Sequence, residues 1–171
     1  CGTKKAFRNG EYIRIAVRST LDNQRLIDAL KEASQAGVKI KMIIRGICCI
    51  LPGIEGKTDN IEVISVVGRF LEHSRIFCFG TGENMKMYIA SADWMTRNTE
   101  NRVEIAAPIY DQKIKNSIYD TLRIMWKDNL KARILCSDGT YKKPEIKEGD
   151  ELIDCQNYLR HEYKVGRKIK L

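Results

Sequence analysis

The stretch EYIRIAVRSTLDNQRLIDALKEASQAGVKIKMII, residues 11–44, holds the pattern that decides the fold. Residues 12–17 alternate apolar side chains with others and include β-branched types, which predicts a strand. Asp22 or Asn23 can then cap a helix that ends at Gly37. Four apolar residues share one face of this helix: Leu26, Ile27, Leu30 and Ala33. The stretch therefore begins with a strand followed by an amphipathic helix.

A second strand follows directly, because residues 38–44 (VKIKMII) repeat the two-residue period of a strand. A strand, a helix and a strand in so short a stretch form a βαβ unit, which implies parallel pairing and a right-handed crossover. Residues 45–60 contain Pro and Gly and predict a loop. Residues 61–67 (IEVISVV) predict a third strand.

The rest of the chain predicts antiparallel strands and further helices. Residues 73–90 form a hairpin whose first strand opens on His73. Residues 92–101 are polar and predict irregular structure, in which Trp94 is expected to anchor its loop by packing. The further predicted elements are a strand over 102–109 ended by Pro108, a helix capped by Asp111, a hairpin of KARILC and GTYKK, and a helix over 150–164 before a basic tail. The fold class is α/β, with a mixed β-sheet flanked by helices.

Size and charge narrow the class of protein. The chain has 171 residues, 43% of them hydrophobic, which suits one domain over 1–171 with a sizeable core. Lys and Arg number 30 against 22 Asp and Glu, for a net charge of +8. Such a surface attracts anions, and polyanions best of all. The opening residues 1–9 carry no initiator Met and read as the middle of a longer chain.

The six cysteines form no Cys-x-x-Cys, and neither histidine lies at metal-ligand spacing from a pair. They are interpreted as small buried residues of a reduced, cytoplasmic protein, and no metal site is predicted. The sequence shows no signal peptide and no apolar run near the roughly 20 residues that cross a bilayer.

His73 and Arg75 are the residues that point to chemistry. On a strand, residues two apart share a face, so the imidazole and the guanidinium would lie together. An imidazole can exchange a proton or attack phosphorus, and a guanidinium binds two phosphate oxygens at once. The returning strand of the hairpin would bring Ser91 and Asp93 beside His73, where they could orient the ring. This set predicts a site that handles phosphate.

The motif also resembles that of a known superfamily. HSR at 73–75 followed by ASAD at 90–93 resembles the His-x-Lys … Gly-Ser-x-Asn motif of the phospholipase D superfamily, with Arg for Lys and Asp for Asn. Longer strings resemble the C-terminal domain of polyphosphate kinase, the long-chain type that works through a phosphohistidine. The strings are EASQAGVKI, IIRGICCILPGI, VVGRFLEHSRIF and ASADWMTRNTENRVE. The resemblance runs from about residue 12 to about residue 142.

This resemblance implies a fold, a reaction and site residues. Two phospholipase D-like domains would face each other across a tunnel, with the phosphohistidine on the first and this chain as the second. The reaction would be reversible transfer of the terminal phosphate of ATP to polyphosphate. Arg45 would bind ATP, His73 would contact ATP and assist proton transfer, and Arg102 would lie in the active site. With Arg75 as a phosphate contact, these residues form the predicted site.

The resemblance also implies partners that lie outside this chain. The Mg²⁺ ligands would be upstream, the full enzyme would be a dimer or tetramer in the cytoplasm or at the inner membrane face, and nucleic acid is not an expected partner. The chain alone should be inactive. The family's Asn-Ser-Leu after the first strand is replaced by RSTL, which leaves the role of that Asn unassigned. Residues 143–171 carry no motif of the family.

Two alternatives remain open from the sequence. One is a phospholipase D-type phosphodiesterase or nuclease that acts as a dimer, with His73 as the nucleophile. The other is a non-enzymatic module that binds a polyanion through its positive charge. Arg75 in place of Lys and Asp93 in place of Asn favour the kinase over the hydrolase. A simple binding module would spread its basic residues over a groove instead of clustering them around a histidine.

Overall fold

The structure, a computed structural model, describes the backbone of residues 12–17 and 20–165 and the side chains of residues 22–165. The strands within these ranges are β1 (Tyr12–Val17), β2 (Thr20–Leu21), β3 (Lys39–Ile44), β4 (Ile47–Cys48), β5 (Ile61–Val66), β6 (Ile76–Phe79), β7 (Lys86–Ala90), β8 (Ala106–Ile109), β9 (Ala132–Leu135) and β10 (Tyr141–Lys142). The α-helices are α1 (Gln24–Gln35), α2 (Thr96–Asn101), α3 (Gln112–Lys127) and α4 (Cys155–Lys164).

In the described part of the chain, one mixed sheet of eight strands has the order β10-β9-β5-β3-β1-β6-β7-β8. β1, β3 and β5 run parallel, and α1 connects β1 to β3, which confirms the predicted βαβ unit. The other neighbours in the sheet pair antiparallel. β2 and β4 form a separate short parallel pair.

Helices cover both faces of the sheet, which confirms the predicted mixed sheet flanked by helices. Alternate residues of β3 face opposite ways, so Ile40 and Met42 join α1 in one core while Ile43 joins α3 in the other. The α1 core contains Ile27, Leu30 and Ala33, as the amphipathic pattern predicts. Asn23 and Asp111 cap α1 and α3 through their side-chain oxygens, again as predicted.

Three predicted boundaries are wrong. β6 begins at Ile76, so His73 and Arg75 precede the strand instead of opening it. The reason is that β1 pairs with β6 only as far as Ala16 opposite Ile76, and the chain before Ile76 lies beyond that pairing. Residues 92–101 are not wholly irregular, because α2 occupies Thr96–Asn101. The last helix begins at Cys155, later than the predicted residue 150.

β8 is also shorter than predicted and includes the proline that was expected to end it. Pro108 pairs with Tyr88 on β7. β8 is an edge strand of the described sheet, so the missing N–H of the proline can face away from its neighbour. The small hairpin of β9 and β10 forms as predicted.

The cysteines are less uniformly buried than the sequence indicated. Cys78 and Cys155 are buried, but Cys49 is exposed because it follows the short strand β4 on a loop. Cys1 lies outside the described residues. Burial raises the pKa of the Cys155 thiol, and the neighbouring Asp128 raises it further. The thiolate is the reactive form of cysteine. Cys155 is therefore unreactive because reagents cannot reach it and because its raised pKa keeps the thiol protonated.

Maleimide labelling of the native full-length protein should therefore modify Cys49 and spare Cys78 and Cys155. All three thiols should react once the protein is unfolded in denaturant. Peptide mass spectrometry at several labelling times measures the order in which the three cysteines are modified. Rapid labelling of Cys155 in the native state would contradict its place in the core.

Candidate functional site

The predicted site residues all lie at one edge of the sheet. β1, β3 and β5 are parallel, so their carboxyl ends meet at this edge. β6 and β8 begin there and β7 ends there, because Ala16 pairs with Ile76, Ile76 with Ile89, and Ala90 with Ala106. Ligands of open α/β sheets bind beyond the carboxyl ends of the parallel strands. We refer to this end of the sheet, where the parallel strands finish, as the carboxyl edge. It is distinct from the outermost strands β8 and β10.

Arg45 reaches the carboxyl edge by following directly after β3, and it is half-buried. β1 lies between β3 and β6 in the sheet. Neighbouring strands are about 4.8 Å apart, so the backbones leading to Arg45 and Arg75 are separated by about 10 Å. Two arginines at that spacing can contact different phosphates of one polyphosphate chain.

His73, Arg75 and Asp93 form a connected group at the centre of the carboxyl edge. Arg75 Nε donates to Asp93 Oδ1 at 2.9 Å, and Nη2 donates to Oδ2 at 3.4 Å. The pair is largely buried, with 12% of the Arg75 side chain and 7% of the Asp93 side chain exposed. Arg75 Nη1 lies 3.5 Å from His73 Nδ1. The carboxylate therefore orients the guanidinium, and the guanidinium faces the exposed imidazole.

The contact with Arg75 influences which tautomer His73 adopts. A guanidinium has donors only, so it cannot accept a hydrogen bond from the ring. We infer that Nδ1 is the unprotonated nitrogen and that Nε2 carries the hydrogen. His73 thus offers an N–H donor on the nitrogen that lies away from the guanidinium.

The loop that supplies Asp93 is fixed by its neighbour Trp94. The Trp94 ring stacks on Phe77 of β6 with centroids 5.0 Å apart and an interplanar angle of 16°. Its carbonyl oxygen accepts from the N–H groups of Asp22 and Asn23. Asp22 in turn accepts from the N–H of Thr96 at the start of α2. Trp94 therefore anchors its loop by packing, as the sequence predicted, and holds Asp93 against Arg75.

Ser91 is engaged differently from the sequence prediction. Its hydroxyl donates to Glu104 Oε2 and accepts from the N–H of Ile105. A hydroxyl has one hydrogen to donate, so Ser91 has none left for His73. Of the two residues expected to orient His73, it is Asp93 that acts, and it does so through Arg75. Glu104 is a further polar residue of this edge, and only its place inside the string NRVE could have indicated it.

Three further arginines near the site are exposed: Arg69, Arg97 and Arg102. Arg102 is the C-cap residue that follows α2, and it precedes β8. This places it at the carboxyl edge as well. Arg97 lies on α2, and Arg69 lies over the ring of Phe70 at 5.7 Å. Their charges face solvent at the carboxyl edge, where a phosphate-bearing ligand would meet them. The phosphate and ATP contacts of Arg45, His73, Arg75 and Arg102 stay predictions.

Two general features of the described residues bear on the site. Residues 22–165 hold no group of three or more His, Cys, Asp or Glu side chains placed to bind a metal ion. None of the helices among the described residues is long and apolar enough to cross a membrane.

Comparison with known proteins identifies relatives over most of the chain. A family profile described as "Polyphosphate kinase C-terminal domain 2" matches residues 3–156. A polyphosphate kinase of Thermosynechococcus vestitus is 48% identical over 144 residues, which are 84% of this chain and 20% of that protein. A polyphosphate kinase of Bacillus anthracis is 49% identical over 152 residues, which are 89% of this chain and 21% of that protein.

A solved structure agrees with these sequence matches. The crystal structure of polyphosphate kinase from Porphyromonas gingivalis aligns with a TM-score of 0.85 and 35% sequence identity. The alignment covers 95% of this chain and 24% of that one. The chain thus spans about a fifth of the length of the curated relatives described above.

Proposed function

The chain belongs to the polyphosphate kinase family, as its sequence indicated, and we propose that it supplies one half of the active site of such an enzyme. The reaction is the reversible transfer of the terminal phosphate of ATP to inorganic polyphosphate. The other half of the site, with the histidine that carries the phosphate, lies on another domain of the full-length protein. By itself the chain lacks that covalent step and is inactive in synthesis.

The observation that carries this proposal is the contact between Arg75 and Nδ1 of His73. It leaves an N–H on the opposite ring nitrogen, which can donate a hydrogen bond to a phosphate oxygen of the group being transferred. Phosphoryl transfer needs placement and positive charge around the moving group more than it needs covalent chemistry from the protein. An exposed, oriented imidazole beside a cation meets that need.

The arginines of the carboxyl edge supply the charge. Arg45 and Arg102 approach it from β3 and from the end of α2, on either side of His73 in the order of the strands. We propose that Arg45 binds the phosphates of ATP and that Arg102 contacts the polyphosphate chain or the transferred group. Magnesium would neutralise further charge on the phosphates when bound, and its ligands are proposed to lie on the rest of the full-length protein.

A phospholipase D-type hydrolase is less compatible with this geometry. A nucleophilic His73 would attack with a ring nitrogen that carries no proton and faces the substrate. The tautomer inferred from the Arg75 contact has its unprotonated nitrogen beside that guanidinium. The orientation suits a hydrogen-bond donor better than a nucleophile.

Arg45→Ala in the full-length protein should weaken ATP binding by roughly 10- to 150-fold, because a charge-assisted contact to phosphate is worth about 1.5 to 3 kcal/mol. Arg45→Lys should recover only part of this affinity, since an ammonium cannot make the two-pronged contact of a guanidinium. Isothermal titration calorimetry with ATP measures the change.

Arg123→Ala provides the matched control, because Arg123 is an exposed arginine of α3 that pairs with Asp120 on the same helix. It should bind ATP like the unmodified protein. Equal ATP affinity for Arg45→Ala and Arg123→Ala would remove Arg45 from the site.

A further inference from the structure

The segment that delivers His73 to the site has little packing of its own. Residues 67–75 connect β5 to β6 without forming a strand or a helix. Phe70 and Leu71 leave 44% and 65% of their surfaces exposed, so burial holds this segment only weakly. A catalytic group must nevertheless be placed to a fraction of an ångström. Something else must fix the backbone that leads to His73.

Gln156, in the first turn of α4, makes that connection. Its Oε1 accepts from the N–H of Phe70 at 2.8 Å, and its Nε2 donates to the Phe70 carbonyl oxygen at 2.9 Å. The amide thus pairs with both main-chain groups of one residue, as a neighbouring strand would. The same Nε2 donates its second hydrogen to Glu72 Oε1 at 3.0 Å. Gln156 is only 5% exposed, so these hydrogen bonds are partly shielded from water.

Gly68 makes room for this amide. A Cβ atom at position 68 would lie 2.4 Å from Gln156 Oε1 and 2.9 Å from its Cδ. Its backbone is not in the left-handed region that glycine alone favours. The need for glycine at position 68 therefore arises from Gln156 and not from the local conformation.

The start of α4 is itself fixed by the turn that follows α3. Asp128, which is 2% exposed, follows α3 and accepts from the N–H of Cys155 through Oδ2 at 2.8 Å. Its Oδ1 accepts from the N–H groups of Leu130, Lys131 and Ala132. One buried carboxylate thus joins the turn before β9 to the first residue of α4. Gln156 comes next in the chain, so its position follows from that of Asp128.

We propose that Gln156 is a positioning residue for the active site, and that α4 belongs to the domain because it holds the segment before His73 in place. This rests on the proposed function of His73. It assigns a role to α4, most of which lies beyond the family match to residues 3–156.

Gln156→Ala in the full-length protein should lower kcat about tenfold while the KM for ATP changes little, since misplacement of about 1 Å can cost up to about 10²-fold in rate. If Gln156 acts through His73, adding Gln156→Ala to a His73→Ala variant should cause no further loss of kcat. A residue that only stabilised the fold would lower the activity of both backgrounds equally.

Gly68→Ala gives a second test that leaves Gln156 and α4 intact. The added methyl group displaces the Gln156 amide, so kcat should fall as it does in Gln156→Ala. Once the amide is absent the methyl group has space, so Gly68→Ala/Gln156→Ala should be no worse than Gln156→Ala alone. Gln112→Ala removes an exposed amide that contacts only its own helix, and it should leave kcat unchanged.

The outcomes separate this inference from the proposed function. Normal turnover of His73→Ala would overturn the proposed function and this inference with it. A slow His73→Ala variant together with full turnover of Gly68→Ala and Gln156→Ala would overturn the inference alone. A further loss of kcat when Gln156→Ala is added to His73→Ala would also overturn the inference alone. If Gln156→Ala fails to fold, the test rests on Gly68→Ala. A folded Gly68→Ala protein with full kcat would contradict the positioning role of Gln156.

Discussion

His73→Ala in the full-length protein should lower kcat for phosphate transfer by roughly 10²- to 10⁴-fold, the usual contribution of a positioned acid or base. The imidazole is exposed at the carboxyl edge, so its removal leaves no cavity in either core. The thermal unfolding temperature should therefore change by only a degree or two, within the small range expected of exposed positions. The test is polyphosphate synthesis from ATP, measured with circular dichroism melts on the same preparations.

His161→Ala is the matched control, because His161 is exposed and lies in the last turn of α4. It should synthesise polyphosphate at the normal rate. A His73→Ala variant that also retains normal turnover would show that the histidine of the motif has no catalytic part. A variant that loses turnover only because it unfolds would instead assign His73 a role in stability.

His73→Gln tests the orientation of the ring within the same experiment. A glutamine amide can place an N–H donor near the position of Nε2, but it cannot attack phosphorus or exchange a proton at neutral pH. If His73 acts partly by hydrogen bonding, His73→Gln should retain more activity than His73→Ala. If His73 is a nucleophile, both variants should be equally inactive.

The sequence predicted the centre of the sheet well because its signals are local. The alternation in residues 38–44 and the capping residue Asn23 depend on neighbours within a few positions. The same reasoning placed Arg45 after a parallel strand and therefore at the ligand-binding edge. It also brought Asp93 to the His73 region through the hairpin, although Asp93 pairs with Arg75 and the strand begins later than predicted.

The sequence could not predict contacts that depend on distant parts of the chain. Arg75 was expected to face phosphate, but its pairing with Asp93 depends on how Trp94 fixes the loop. Gln156 and Phe70 are 86 positions apart, and nothing in the sequence links them. Such contacts depend on where α4 packs in the folded domain. A single glutamine in an amphipathic helix does not predict them.

The second large effect concerns the ion pair of Arg75 and Asp93. Asp93→Ala should destabilise β6 and β7 by about 3 to 5 kcal/mol, because it leaves a largely buried guanidinium without its carboxylate. Amide hydrogen exchange of these strands in the full-length protein should become roughly 10²- to 4 × 10³-fold faster, since each 1.4 kcal/mol is about a factor of ten. Exchange in β9, which lies towards the opposite end of the strand order, should change much less. Asp120→Ala, which removes a partly exposed carboxylate of α3, should leave exchange in β6 and β7 unaltered.

Replacing both partners separates stability from catalysis. Arg75→Met/Asp93→Leu removes the charges together, and buried ion pairs replaced by apolar residues of similar volume are often as stable as before. Exchange in β6 and β7 should therefore return towards that of the unmodified protein. Turnover should stay low, because His73 has lost the guanidinium that orients its ring and adds positive charge beside the phosphate. A double variant that regains turnover along with stability would mean that the pair serves the fold alone, and that His73 finds its orientation without Arg75.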